Sequence, residues 1–183
     1  MPADTKQIIV EQLFAFLEHK KIEDITVKDL VNACHISRQT FYYHFQDIMD
    51  VMEWGARKAV EQALAETMAA PDPREAVRIF ALRIVQKKDV NRRLMQSQRR
   101  AELERILVNA FRTYLQALFR QKWPNPSLSV ADTDTFLDFY TYGLIGLILK
   151  HCEPGEAEAD TELLADQIYR LLTGEKQGRL RRS

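Results

Sequence analysis

The sequence predicts an all-α protein of about nine helices in two parts, and three observations predict it. Apolar residues recur at i, i+3, i+4 spacing through most of the 183 residues, which is the signature of helices with one buried face. Only six Gly and six Pro are present, so little chain is left for loops, and the clear breaks cluster at Pro71-Asp72-Pro73, residues 123–126 and residues 153–155. Residues 26–45, TVKDLVNACHISRQTFYYHF, read as two short capped helices joined by a tight turn, the layout of a helix-turn-helix. The boundaries follow from this: residues 1–46 form an N-terminal three-helix domain and residues 47–183 a larger helical domain.

The first helix is predicted over residues 4–19. Ile9, Leu13, Phe16 and Leu17 lie on its inner face, with Val10 and Phe14 adjacent. Residues 20–25 connect it onward, with Lys20 and Lys21 read as solvated. Thr26 starts the second helix, because its hydroxyl can accept from the N–H of Asp29, in a capping-box-like pair. Val27, Leu30, Val31 and Cys34 then share a face. His35 and Ile36 make the turn, and Ser37 caps the third helix. In that helix Phe41 and Phe45 lie four apart and point to the core, while Arg38, Gln39, Tyr42 and Tyr43 take the opposite side. A helix of 3.6 residues per turn cannot face all of its consecutive aromatics inward, so the tyrosines are surface groups.

Asp47 caps a long fourth helix to about residue 70, with Ile48, Val51, Met52, Gly55 and Ala59 inside. After the proline break a helix runs over residues 74–88 on Val77, Phe80, Ala81, Ile84 and Val85. Asp89 is expected to cap a short helix ending near Gln98, with Arg92, Arg93, Arg99 and Arg100 on a solvated face. Residues 101–122 form an amphipathic helix through Ile106, Leu107, Ala110, Phe111, Tyr114 and Leu118. Residues 132–152 are apolar on almost every side and must be covered from several directions. Gly143 and Gly146 weaken that helix but let a neighbour come close. The last helix, over residues 160–173, carries Leu164, Ile168, Leu171 and Leu172, and residues 178–183 are a basic tail.

Composition narrows the function. Hydrophobic residues are 46% and charged residues 28%, ordinary for a globular chain, and the formal net charge is zero. Residues 1–46 hold five Lys/Arg (6, 20, 21, 28, 38) against six Asp/Glu (4, 11, 18, 23, 24, 29), a slightly acidic balance. Binding to a polyanion would therefore rest on a few placed contacts and on avidity. Two lone Cys give no disulfide framework and fit a reducing cytoplasm. No signal peptide and no apolar run of spanning length is expected; residues 136–149 come nearest but include Asp138. Cys34-His35 and His151-Cys152 are adjacent pairs without metal-site spacing, so no metal and no cofactor is expected. No Walker loop, GxSxG, HExxH or dinucleotide fingerprint is present, so the chain is read as a non-enzyme.

Residues 26–45 resemble the DNA-binding domain of the TetR family of bacterial regulators. Thr26 is followed by Ser37, Thr40, Phe41, Tyr42 and Phe45 at the family's order and spacing, over about the first 55 residues. SRQTFYYHF followed by Asp47 is similar to the branch that includes regulators of dihydroxyacetone kinase operons. By position, the resemblance implies phosphate contacts from Thr26, Tyr42 and His44. It implies base-edge or groove contacts from Lys28, Arg38, Gln39, Thr40 and Tyr43. Two departures stand out. Gln46 and Ile48 occupy positions where the family has phosphate-clamping lysines. His35 occupies a turn position where the family has Gly, so it is expected to adopt a positive φ.

The resemblance further implies an effector pocket among helices four to eight, with Trp54, Phe80, Arg83, Met95, Phe111, Tyr114, Phe139 and Tyr140 as candidates. Each of these is equally a core residue. It implies a homodimer through the last two helices, with Tyr140, Gly143, Leu144, Leu147, Ile168 and Leu172 at the interface; the alternative is that these helices only complete the protomer core. The expected function is a homodimeric repressor on an inverted-repeat operator in double-stranded DNA, released by a small-molecule effector. The alternative is a co-regulator of the same fold that acts through a protein partner.

Overall fold

The computed structural model describes residues 4–122, 129–151 and 161–173, and these form nine α-helices with no strand among them. They are α1 (Thr5–Leu17), α2 (Val27–Ala33), α3 (Arg38–His44), α4 (Ile48–Ala69), α5 (Pro73–Gln86), α6 (Lys88–Met95), α7 (Arg100–Lys122), α8 (Val130–His151) and α9 (Thr161–Thr173). A 3-10 turn at Ile22–Asp24 lies between α1 and α2. The breaks at residues 123–126 and 153–155 and the basic tail lie outside the described residues.

Local chemistry sets the helix starts. Asp4 accepts from the Lys6 N–H at 3.0 Å and caps α1. Thr26 and Asp29 make the full reciprocal capping box on α2. Ser37 accepts from the Thr40 N–H at 2.9 Å on α3, and Asp47 accepts from Met49 and Asp50 on α4. At α6 the expectation fails. Lys87 is the N-cap and makes no side-chain bond, while Asp89 lies inside the first turn and pairs with Arg92 at 2.6 Å.

Two hydrophobic cores follow. The first gathers Ile9, Leu13 and Leu17 of α1, Leu30 and Val31 of α2, Phe41 and Phe45, and the start of α4 from Ile48 to Trp54. It also takes in Val90 and Leu94 of α6 with Leu103 and Ile106 of α7, so this core continues well past residue 46. The second core is built from Val77, Phe111, Tyr114, Leu115, Leu118, Leu137, Leu144, Leu164 and Ile168. α4 joins the two. Its 22 residues span about 33 Å, and its far half leans Val60, Ala63, Leu64 and Met68 on the second core. Ala59 therefore falls at the crossover and is exposed, not inside as expected. At Gly55 the chain needs the absence of a side chain: a Cβ there would stand 3.0 Å from both Phe14 Cε2 and Val10 Cγ1 of α1.

Candidate nucleic-acid interface

α3 is a seven-residue helix with two unlike faces. Phe41 is fully buried and Phe45, its C-cap, nearly so. Phe45 meets the Trp54 ring edge-on at 6.2 Å, which locks the end of α3 to α4. The opposite face presents Arg38, Gln39, Tyr42 and Tyr43 to solvent, with Tyr42 59% and Tyr43 84% exposed. Large aromatics left that open, beside a guanidinium and an amide, are suited to phosphates and base edges. Thr40 is half-buried, its hydroxyl 2.8 Å from that of Ser37. His44 is also half-buried, against the edge of the Tyr43 ring.

α2 brings two more of the sequence candidates to the surface. Lys28 is exposed. Thr26 is exposed, but its hydroxyl donates to the Asp29 carboxylate at 2.6 Å while accepting from the Asp29 N–H. A hydroxyl has one proton, so in this arrangement Thr26 has none for a phosphate. The Thr26 hydroxyl and backbone N–H together hold the Asp29 carboxyl below its usual range. The turn between the helices contains His35 at φ 53°, the positive angle expected from its position. Of the two positions without lysine, Gln46 is exposed and Ile48 is buried in the first core. The Gln46 N–H is satisfied by Asp50 at 3.0 Å. One cation is more telling in the structure than in the sequence: Lys6 Nζ lies 5.3 Å from the centre of the Phe45 ring, which brings an ammonium to the end of α3 from α1. Its only sequence signal was its charge.

The effector-pocket candidates separate into two groups. Phe80, Phe111 and Tyr114 converge, with Phe80 stacked on Tyr114 at 5.4 Å and edge-on to Phe111 at 5.1 Å. Tyr114 reaches the buried Thr67 hydroxyl at 2.8 Å, and burial above all raises its pKa. The free space beside Phe80 and Tyr114 is about 10 Å³, room for roughly one water. Arg83 sits nearby and pairs with Glu66. The others do not join them. Trp54 and Met95 belong to the first core, because both flank the three-helix part. Phe139 points outward, 73% exposed. Tyr140 packs on Phe119 and Phe136 and donates to the Leu171 carbonyl at 3.2 Å.

The interface candidates also divide. Leu144 and Ile168 are buried in the protomer's own second core, and Leu147 packs partly against it, so these are core residues first. The Leu172 side chain lies outside the described residues. Around Gly143 and Gly146 nothing lies within 4 Å of a built Cβ. Phe139, Tyr142, Gly143 and Gly146 follow i, i+3, i+4, i+7 spacing and form one stripe of α8, opposite the buried Leu137, Leu144 and Ile145. Tyr142, on this stripe, is 63% exposed, although it was not a sequence candidate. The phase of α8 hid it, since a helix apolar on almost every side does not declare which side its own chain covers.

Among the described residues no group of three or more His, Cys, Asp or Glu is placed to hold a metal ion. No helix among them is long and apolar enough to cross a membrane.

A TetR C-terminal family model, described as the C-terminal region of transcriptional regulators, matches residues 73–174, more than half of the chain. No curated protein sequence matches it. Among solved structures, the dihydroxyacetone kinase operon activator DhaS superposes with a TM-score of 0.64 at 16% identity, covering 93% of this chain and 94% of that one. A TetR/AcrR-family regulator from Thermobifida fusca gives 0.52 at 17% identity over 94% and 98%. The fatty acid degradation regulator FadR from Bacillus halodurans gives 0.51 at 15% identity over 97% and 98%. At these identities the likeness concerns the fold.

Proposed function

Because the chain belongs to the TetR family of transcriptional regulators, we propose that it acts as a cytoplasmic homodimeric repressor that reads an inverted-repeat operator. One observation carries this reading: α3 buries Phe41 and Phe45 and leaves Arg38, Gln39, Tyr42 and Tyr43 open to solvent. Residues 1–46 would supply the recognition unit and residues 47–183 the dimer contact and the signal. Tyr42 and His44 are assigned to phosphates, and Lys28, Arg38, Gln39, Thr40 and Tyr43 to groove contacts. Thr26 joins the phosphate set once its hydroxyl turns from Asp29. The exposed α8 stripe, with Phe139, Tyr142 and Gly143, supports a paired arrangement in which a second copy covers it. Such a dimer places two recognition helices about 34–36 Å apart, one turn of DNA.

Release would come from an effector that prefers a form with Phe80, Phe111 and Tyr114 parted. The present space of about 10 Å³ admits no organic molecule, so the ligand must stabilise the open form to shift the balance. The protein-partner reading keeps one supporting observation, the acidic balance of residues 1–46 together with the absent lysines at Gln46 and Ile48. The discriminating experiment is titration of the purified dimer with duplexes carrying one or two copies of a selected half-site. Much tighter binding to the inverted pair supports the repressor reading. Equal binding to both duplexes removes the dimeric mechanism, and no binding to either favours the partner.

A further inference from the structure

α4 is not the only attachment of the DNA-binding helices to the rest of the protein. The junction of α6 and α7 lies against the connection between α1 and α2. Arg93 Nη1 donates to the carbonyl oxygen of Leu17, the last residue of α1, at 3.1 Å. A guanidinium there also meets the negative end of the α1 dipole. Glu23, in the turn just before Thr26, accepts from the Gln98 N–H at 3.4 Å. Its own backbone N–H foremost, then Ser97, Gln98 and Lys21, hold the Glu23 carboxyl below its usual range. Ser97, the neighbour of Gln98, is buried and accepts from the Arg99 N–H at 2.9 Å, which fastens the start of α7 beside this contact. Beneath these bonds Val90, Leu94, Leu103 and Ile106 share one core with Ile9, Leu13 and Leu17.

The mechanical consequence is specific. A unit carried on one helix can still twist and tip about that helix. An off-axis attachment removes that freedom. Here the two polar ties fall at the two ends of the connection that leads into Thr26 and α2, from partners 76 and 75 residues away in sequence. We propose that Arg93 and Glu23 are positioning residues for DNA recognition: with α4 they fix the angle of the three-helix unit and so set the separation of the two recognition helices. The proposal rests on the dimeric DNA-binding reading above.

The test uses the full-length protein and a panel of inverted repeats with half-site spacing altered by one base pair either way, each step being about 3.4 Å. The unchanged protein should prefer one spacing by about ten-fold or more. Arg93→Met combined with Glu23→Ala should flatten that preference to within about three-fold, with half-site base preference and dimerisation unchanged. Arg93→Lys with Glu23→Gln keeps a donor and an acceptor oxygen and should restore it. A folded, dimeric Arg93→Met/Glu23→Ala protein that keeps the original spacing preference overturns the proposal. Hydrogen exchange of the unchanged protein needs no variant: residues 88–99 should gain protection together with residues 18–26 when DNA binds, and no gain in 88–99 overturns the proposal. If the unchanged protein binds no duplex, the DNA-binding reading fails. The clasp is then judged without DNA, where exchange in residues 18–26 should be about ten-fold faster in Arg93→Met than in Arg93→Lys; equal exchange rejects it.

Discussion

Gly143→Ala separates the protomer from the dimer, because its effect has opposite sign in the two. Within one chain, nothing lies within 4 Å of the added Cβ, so the methyl group meets only open space. Helix propensity then governs, and replacing Gly by Ala in a helix interior gains about 0.8–1 kcal/mol. For a domain of this size that raises the melting temperature by about 2–4 °C. In a symmetric dimer whose partner helix lies against the α8 stripe, the substitution adds two methyl groups to a packed contact. Overpacking costs about 1–3 kcal/mol for each, a total of roughly 2–6 kcal/mol borne by the dimer alone. Even the low end raises the dimer dissociation constant by about 30-fold. Sedimentation velocity over a concentration series reads the association, and a melt under monomeric conditions reads the fold. A more stable fold with a weaker dimer is expected. An unchanged dimer constant in the more stable variant would refute the placement of the interface on this stripe.

Three further outcomes are expected. Tyr42→Ala should weaken operator binding by about 10–100-fold, the loss of a hydrogen bond to a charged phosphate, while circular dichroism and dimerisation stay unchanged because the ring is already exposed. Gln46→Lys should tighten DNA binding and steepen the slope of log affinity against log salt by about 0.9, one added phosphate contact; titration in a salt series reads it, and an unchanged slope means that residue 46 faces away from the backbone. Gly55→Ala should lower stability by about 1 kcal/mol, since overpacking of about 1–3 kcal/mol against Val10 and Phe14 outweighs a propensity gain of about 1 kcal/mol. Chemical denaturation measures this, and a gain in stability in the Gly55→Ala protein would show that α1 yields freely.

What could be read in the sequence was local. The Thr26–Asp29 box and the Ser37 and Asp47 caps each depend on neighbours within three residues, and the structure contains all of them, as it contains the positive φ that the family resemblance implied for His35. The two faces of α3 were legible because Phe41 and Phe45 fix its phase. The rest depended on distant partners. Arg93 looked like one of several solvated arginines until α6 was laid against the end of α1, 76 residues away. Trp54 has the composition of a pocket residue, and only the arrival of Phe45 assigns it to the first core. In the sequence Phe139 reads as a pocket residue and Leu144 as an interface residue, with no phase to decide between inside and outside, since α8 is apolar on almost every side. Packing against α7, in a core shared with Leu164 and Ile168 of α9, turned Leu144 inward and left Phe139 in solvent.

The central claim is that the α3 surface reads DNA as a symmetric pair. Selection of binders from a random duplex library by the purified full-length protein, followed by anisotropy titration across a salt series, tests it most directly. The DNA-binding reading predicts enrichment of an inverted repeat, with half-sites about 10–10.5 base pairs apart centre to centre and an affinity that falls steeply with salt. Folded, dimeric protein that enriches no sequence even at low salt would contradict it.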